Sequence, residues 1–530
     1  MPAKPARICV VIGRTRHKMV QAEIQEAGKA GAQLIELRLD FLSHAPDFKR
    51  LLTRKPCDMV ATLRRPQDGG RWKGTEDERK LLMRQCIVGG FEWVDIETDI
   101  AAEIPRFGDT RRIVSYHSVR EMPEKLEQIH AEMCKQDADI VKIVVRAQRP
   151  MDNLRVLKLM HNAPKPTIAF CLGELGFPSR ILSGRLGAPW TYAAFNKERG
   201  IAPGLPSFEE VRRIYRYDKL DSKTAVYGLI GDPVAHSLSP LVHNLLFQRH
   251  GVNGVYVPFR VARGDLEEFV KAFESLPVRG YSVTIPHKEA AAHTAPQKDP
   301  LALRIGAANT LVRLDSAPQH QGIVAREALE VLADAGQQRG FIAYNTDAQA
   351  AVDSLLANLP VVPDAPPPTI ATRTVLILGA GGAARAVAHA MQREGAAVTV
   401  TNRTNERALQ LAQELGCRAL AWDARHSVTC DTLVNCTSVG MEPEVDEIPV
   451  HTSFLKPGLV VFDCVYTPEN TLLINAARKR NCHVITGVEM FVRQAALQFR
   501  LFTGVEPSLE YLRDLVRKSL SHVRPREVPE

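Results

Sequence analysis

Short apolar runs recur up to residue 218, separated by longer segments in which apolar positions follow a helical period. The runs predict strands at 7–12, 33–39, 59–64, 92–97, 113–117, 140–145, 167–172 and 191–195. Segments such as 76–86, 125–135 and 151–160 predict amphipathic helices between them. Eight strand–helix units in roughly 200 residues fit an α/β fold of the (β/α)8-barrel kind, near its lower size limit. An open doubly wound sheet would also alternate, but no glycine-rich turn follows the first strand, so it is the second choice.

One strand departs from the apolar pattern. Lys142 stands in Asp139-Ile-Val-Lys-Ile-Val-Val145, a lone cation flanked by β-branched residues. Apolar burial can depress a lysine pKa by up to roughly 3–5 units, and a neutral amine is what Schiff-base chemistry requires. The alternative is a lysine at a strand end whose stem snorkels to water. The neighbouring strands weigh on that choice. In a barrel the chemistry sits at the carboxyl ends of the strands. Here those ends carry Glu36 and Arg38, then Arg64, then Asp95 and Glu97, then His117, then Lys142. Lys142 would attack a carbonyl, the iminium would acidify the adjacent C–H, and His117 would take that proton and return it to a leaving hydroxyl. Glu36, Asp95 and Glu97 would orient the histidine or the substrate, and Arg38, Arg64 and Arg180 offer forks for a carboxylate. Such a constellation suits a lyase or aldolase acting on an acidic keto compound.

At 530 residues the chain is too long for one core, and two to four domains are expected. No apolar run approaches the ~18 residues of a membrane helix, and no secretory or import leader is evident at the start. Ten cysteines without Cys-x-x-Cys spacing suit reduced core thiols in a cytoplasmic protein rather than a metal site or disulfide framework. The net charge of +8 is dispersed, so nucleic acid is not an expected partner. A mild positive excess instead suits small anionic substrates and a phosphorylated cofactor.

The segments Ile35-Glu-Leu-Arg-Leu-Asp40, Ala61-Thr-Leu-Arg64, Ser115-Tyr-His-Ser118, Asp139-Ile-Val-Lys142 and Gly176-Phe-Pro-Ser-Arg180 resemble the type I 3-dehydroquinate dehydratases over about residues 7–217. The resemblance implies Lys142 as the Schiff-base lysine and His117 as general acid/base. It implies Glu36, Arg38, Arg64 and Arg180 as substrate contacts. Two departures stand out: Asp68-Gly-Gly70 where the family has Glu-Gly-Gly, and Ile201-Ala-Pro-Gly-Leu205 where its lid reads Ser-Ala-Pro-Gly-Gln.

A charged stretch, 212–223, reads as a linker, and a strand at 225–230 opens a second α/β region. Ser237 and Ser239 precede a helix expected near Pro240, a setting that serves either a substrate carboxylate or an ordinary N-cap. Further on come Gly280-Tyr-Ser-Val-Thr-Ile-Pro-His-Lys288, Gly306-Ala-Ala-Asn-Thr310 and Tyr344-Asn-Thr-Asp347. Lysine, asparagine and aspartate of this kind can bind a polyol ring and move one proton. Over about residues 224–525 these motifs resemble shikimate dehydrogenase. The resemblance implies Lys288 and Asp347 as the catalytic pair, with Ser237, Ser239, Thr284, Asn309 and Gln494 on the substrate and Tyr466 and Gly487 as further contacts. The excursion at 315–340 is longer than the family's connection and is expected to form a helix near 326–335.

After a proline-rich boundary at 360–368, a strand at 374–378 runs into Gly379-Ala-Gly-Gly-Ala-Ala384 and a helix, with a further strand at 397–401. This strand–turn–helix setting places a dinucleotide pyrophosphate over Gly379, Ala380, Gly381, Gly382 and Ala383. The next strand ends at Asn402, Arg403 and Thr404 rather than at an acidic residue. That favours a 2′-phosphate and hence NADP, although Arg403 could be simply a solvated charge. Thr437 and Ser438 follow another strand, where the nicotinamide half is expected.

The expected architecture is a dehydratase barrel over 1–218 and a substrate domain over 224–359, completed by helices at 488–525, with a Rossmann-type NADP domain over 370–487. The expected chemistry is conversion of 3-dehydroquinate to 3-dehydroshikimate, then reduction to shikimate. The alternatives are a quinate/shikimate dehydrogenase with a weak or structural barrel, and a ligand-sensing regulator built from the same domains.

Overall fold

All eight barrel strands form in the computed structural model, which describes residues 7–161, 163–196, 198, 200, 204–314, 340–360 and 367–521. They are β1 (Arg7–Ile12), β2 (Leu34–Arg38), β3 (Asp58–Thr62), β4 (Trp93–Glu97), β5 (Arg111–Ser118), β6 (Ile140–Arg146), β7 (Thr167–Leu172) and β8 (Trp190–Ala194). Ile201 and its neighbours to 203, the expected helix at 326–335 and residues 361–366 lie outside the described residues.

The strands run parallel in the order β7-β6-β5-β4-β3-β2-β1-β8. The ladder does not join β7 to β8, so the ring has one seam. Side chains fill it. The Arg180 guanidinium lies 4.2 Å from the ring centre of Phe170 on β7 and donates over 3.5 Å to the carbonyl of Tyr192 on β8. Below, Cys9, Val11, Leu34, Val60, Trp93, Ile113, Ile140, Ile168 and Trp190 make the apolar floor, with Trp93 and Trp190 edge-to-face at 5.1 Å. Side chains two apart on a strand share a face. The inward face therefore changes from apolar to ionisable in one step: Leu34 to Glu36, Trp93 to Asp95, Ile140 to Lys142.

The chain divides into two compact units. The first comprises Met1–Val226 with Asn253–Val261 and Glu268–Pro277, and the second comprises Tyr227–Val252, Ala262–Glu267 and Val278–Glu530. The stretch read as a linker belongs to the first unit and is not a free tether. Tyr215 and Tyr217 are buried there, Tyr217 shares a 3.0 Å hydrogen bond with Ser183, and Tyr215 packs against Phe177 at 5.3 Å. The aromatic positions, masked in sequence by their charged neighbours, supply the apolar area that docks it.

Strands β9 (Ala225–Gly231) and β10 (Gly254–Arg260) follow the barrel. In the second unit β9, β11 (Val278–Val283), β13 (Thr310–Arg313), β14 (Phe341–Tyr344) and β12 (Gln297–Lys298) lie side by side in that order. A second, wholly parallel sheet holds β15 (Thr374–Leu378), β16 (Ala397–Asn402), β17 (Arg418–Ala421), β18 (Thr432–Asn435), β19 (Val460–Asp463) and β20 (His483–Ile485). Its order, β17-β16-β15-β18-β19-β20, is the Rossmann 3-2-1-4-5-6 arrangement, with the topological switch between β15 and β18. Helix Gly487–Thr503 returns to the first of these sheets: Phe502 packs on Tyr227 at 5.2 Å and Gln498 donates to the Asn309 carbonyl over 3.1 Å. Among the described residues no helix is long and apolar enough to cross a membrane.

Candidate active sites

Lys142 is the third residue of β6, well before its end, and is buried. Its surroundings are not the apolar ones expected. Nζ donates to Asp95 over 2.8 Å and reaches Glu36 at 3.5 Å, beneath the Tyr192 ring 4.1 Å away. The second side of Asp95 meets Arg64 at 2.8 Å. Arg64 also bonds Glu97 and Ser115, each at 2.9 Å, and Ser115 donates to Asp95 over 2.6 Å. Burial opposes ionisation of Asp95, but Arg64, Lys142 and His117 outweigh it and hold the carboxyl well below the usual range. The site is thus a buried, charge-compensated network rather than a lone amine in hydrocarbon.

Within it the three arginines separate into two kinds. Arg64 is saturated by carboxylates, and Arg38 is held by Asp40 at 2.9 and 2.8 Å. Arg180 is buried, contacts a carbonyl and a ring and has no carboxylate partner among the described residues; burial pushes its guanidinium down to about 10. A cation left without a counter-ion in a low-dielectric setting is a ready receptor for a substrate carboxylate. His117 is uncompensated in a different sense: its Nδ1 is buried with no hydrogen-bond partner. Burial first, then the charges of Arg64 and Lys142, push the imidazole well below its ordinary pKa, with Asp95 offsetting part of the effect. Asp68, at the departure from Glu-Gly-Gly, is occupied by Arg65 at 2.7 Å.

In the second unit Lys288 opens helix Lys288–Thr294, and Asp347 lies in the first turn of helix Thr346–Asn358. They meet at 2.7 Å. Asn309 donates to the other Asp347 oxygen over 2.9 Å and accepts from the Thr346 backbone over 2.8 Å. Gln494 comes alongside through its carbonyl, which Thr346 Oγ1 approaches at 3.3 Å, while its amide turns back onto Phe491 at 3.0 Å. Ser239 is the first residue of its helix and Leu238 the N-cap, so neither serine is a cap in the strict sense. Ser237 Oγ accepts from the Ser239 backbone over 3.2 Å; the Tyr466 phenol, pushed up by burial, bonds Ser237. Thr284 sits between β11 and Lys288, held by its backbone N–H to Ile230 at 2.9 Å.

The glycine turn meets its own geometric demands. Gly379 has φ +115°, and a Cβ there would lie 3.2 Å from Cys436. A Cβ at Gly382 would lie 2.6 Å from Cβ of Lys288, whereas Gly381 faces open space. Gly381 is the N-cap of helix Gly382–Arg393, which has no side-chain cap. Its free N–H groups and a Cβ-free cradle fit a pyrophosphate. Arg403 and Thr404 are exposed and Asn402 turns onto the Thr404 carbonyl over 2.9 Å, leaving Arg403 available to a 2′-phosphate. Thr437 and Ser438 follow β18 across the switch point, Thr437 Oγ1 donating to Asn435 over 2.6 Å. Gly487 has a packing reason of its own: a Cβ would lie 2.3 Å from the Val465 carbonyl oxygen.

Comparison with known proteins agrees with this division. The type I 3-dehydroquinase family matches residues 8–222. The shikimate dehydrogenase substrate binding domain matches 229–311, shikimate/quinate 5-dehydrogenase 365–438, and the shikimate 5′-dehydrogenase C-terminal domain 487–517. A chloroplastic bifunctional 3-dehydroquinate dehydratase/shikimate dehydrogenase of Arabidopsis thaliana is 36% identical over 535 residues, covering 97% of this chain and 85% of that one. The chain belongs to this bifunctional family. A shikimate biosynthesis protein of Chlamydia pneumoniae is 30% identical, over 88% of this chain and 90% of its own. An NADP(+) shikimate dehydrogenase of Methanosarcina mazei is 39% identical, over 56% of this chain and 98% of its own.

Several groups in this dehydratase/dehydrogenase lay beyond sequence reasoning. Arg79, fully buried, bonds Glu97 at 2.5 Å from helix Glu76–Val88; its helical neighbours give no sign of that partner. Ser115 and Tyr192 carried a usable signal, since each shares the inward face of its strand with a core residue, Ile113 and Trp190. Thr346 and Gln498 reach the dehydrogenase site through Asn309, a long-range relation that local pattern does not encode.

The lowered imidazole of His117 has a measurable consequence. Between its folded pKa and about 6.5, the unfolded chain binds a proton that the folded barrel does not, so barrel stability falls as pH drops below about 6.5. The same neutral imidazole places no acid limb at an ordinary histidine pKa. The dehydratase kcat/KM is expected to show no histidine-like loss through about pH 6.5; a single-proton fall centred there would contradict it.

Proposed function

We propose that the two constellations carry the two reactions of a bifunctional shikimate-pathway enzyme, 3-dehydroquinate dehydratase followed by NADP-dependent shikimate dehydrogenase. The buried Lys142–Asp95–Arg64 network beside His117 is the observation that carries the barrel assignment. Arg180 pairs with the substrate carboxylate, its one missing counter-ion. Lys142 gives up its ammonium proton and attacks the ketone carbon; loss of water leaves an iminium. His117 removes the neighbouring C–H proton and returns it to the departing hydroxyl, which leaves as water. Hydrolysis of the imine then frees the lysine. Glu36 holds substrate hydroxyls. Arg38 and Arg64 act mainly through the carboxylates they position, Asp40, Asp95 and Glu97.

In the second unit Lys288 delivers the proton to the reduced ketone oxygen, and Asp347 and Asn309 fix its position. Ser237, Ser239, Thr284, Tyr466 and Gln494 surround the substrate's carboxylate and hydroxyls. When bound, NADPH supplies the hydride. Gly379–Gly382 receive its pyrophosphate, Asn402, Arg403 and Thr404 its 2′-phosphate, and Thr437 and Ser438 its nicotinamide half, with Gly487 closing the floor behind it. The ten free cysteines suit a reducing, cytoplasmic setting.

Supplying the chain with only 3-dehydroquinate and NADPH tests the whole reading. Shikimate is expected to accumulate. Failure to consume 3-dehydroquinate while added 3-dehydroshikimate is reduced would return the barrel to a structural role. For the cofactor, Arg403→Ala removes a charge-assisted contact of about 1.5–3 kcal/mol, so KM for NADPH rises roughly 10- to 100-fold with KM for 3-dehydroshikimate unchanged. Steady-state titration of each substrate separates the two effects.

A further inference from the structure

Two thiols stand side by side at the switch point of the Rossmann sheet. Cys436 and Cys464 directly follow Asn435 and Asp463, a register pair on β18 and β19. Their sulfurs are 3.7 Å apart and share an S–H···S hydrogen bond. Both residues are partly buried rather than sealed in the core. Neighbouring strands run about 4.8 Å apart, inside the Cα separation that a disulfide spans. Of the ten cysteines, these are the two that touch each other among the described residues.

Their position matters as much as their separation. A Cβ on Gly379, the first glycine of the dinucleotide turn, would lie 3.2 Å from the Cys436 carbonyl carbon. Thr437, next in sequence, bonds Asn435, and Asn435 bonds Asp463 at 3.0 Å. The Cys464 thiol is pushed well up, first by its bond with Cys436, then by burial, and further by the charges of Asp463 and Asp347. Asp347 is the partner of Lys288. The dithiol thus adjoins both the turn that cradles the cofactor and the carboxylate that holds the proton donor.

We propose that Cys436 and Cys464 form an oxidisable dithiol whose disulfide disables the dehydrogenase while sparing the dehydratase. The oxidant is hydrogen peroxide. The Cys436 sulfur attacks the peroxide O–O bond, giving a sulfenic acid and water. The Cys464 sulfur then displaces the second water, so two thiols and one peroxide yield one disulfide and two waters. Bond formation draws the sulfurs from 3.7 Å to about 2.05 Å. That shift drags Thr437 and the floor under Gly379, and ångström-scale misplacement of reacting groups costs up to about 100-fold in rate. A thiol reductant reverses it. In a reducing compartment such a bond is transient and regulatory rather than structural.

The proposal rests on the dehydrogenase reading of this site, and measuring both activities of the reduced chain first keeps failure of that reading distinct. The full chain, without cofactor, is then treated with hydrogen peroxide and both activities are followed in one sample. Cleavage at acidic residues separates Cys430, Cys436 and Cys464, because Asp431, Glu442 and Asp463 intervene. The expected result is a Cys436–Cys464 linked peptide and a roughly 10- to 100-fold loss of dehydrogenase rate. Weakened NADP binding, unchanged dehydratase rate and recovery with dithiothreitol complete it. The Cys464→Ser variant is expected to keep dehydrogenase activity and to resist peroxide; Cys436→Ala serves as the second variant should that one not fold. No linked peptide at inactivating peroxide, or equal sensitivity in the folded variant, overturns the proposal.

Discussion

Lys142→Ala is expected to lower dehydratase turnover by roughly 10⁴- to 10⁶-fold, the scale for removal of a covalent nucleophile. The same preparation is expected to oxidise shikimate at the unaltered rate. The second activity provides the control that this substitution needs. Removing the ammonium leaves Asp95 and Glu36 facing each other's charge, and breaking a buried ion pair costs about 3–5 kcal/mol. Arg64 still neutralises Asp95 at 2.8 Å, so the barrel retains part of its compensation. A melting experiment that resolves the barrel transition, read beside the dehydratase rate, separates unfolding from lost chemistry. Loss of turnover with an intact barrel transition is the outcome specific to the nucleophile. Residual turnover above a thousandth of wild type would leave Lys142 as a mere electrostatic anchor.

The second large effect falls in the other unit. Lys288→Met is expected to reduce dehydrogenase kcat by about 10²- to 10⁴-fold, the contribution of a positioned proton donor, with the dehydratase untouched. Asp347→Asn removes the charge that holds Lys288 at 2.7 Å and is expected to reduce kcat similarly. Because the two residues act as a unit, the double variant is expected to be little worse than either single one. Losses that multiply in a kcat comparison would mean that the residues work independently. The 2.6 Å approach of a Cβ at Gly382 to Lys288 explains why the lysine's place and the glycine turn are fixed together.

The fold was legible where one residue's surroundings follow from its own strand. Eight apolar runs predicted eight strands, and the ionisable residues at their carboxyl ends, Glu36, Arg64, Asp95, His117 and Lys142, pointed to the rim. The Rossmann turn was legible because a strand, a glycine-rich turn and a helix follow one another directly, with Gly379 at φ +115° answering a local demand. What escaped depends on distant partners. Glu36 and Asp95 were read on the same face as Lys142 but as partners of the histidine or the substrate, so the lysine read as an amine in hydrocarbon rather than one arm of a charge network. Likewise Arg38, Arg64 and Arg180 read as equivalent forks; only their partners set Arg180 apart. Tyr215 and Tyr217, inside a charged stretch, read as linker because the surface they cover lies far back in the chain.

The central claim is covalent chemistry at Lys142, and reductive trapping tests it most directly. The chain is incubated with 3-dehydroquinate, treated with borohydride, digested and mass-mapped. The account predicts one stable adduct, on the peptide containing Lys142, with loss of dehydratase activity in proportion to labelling. An unlabelled Lys142 under conditions of active turnover would contradict it.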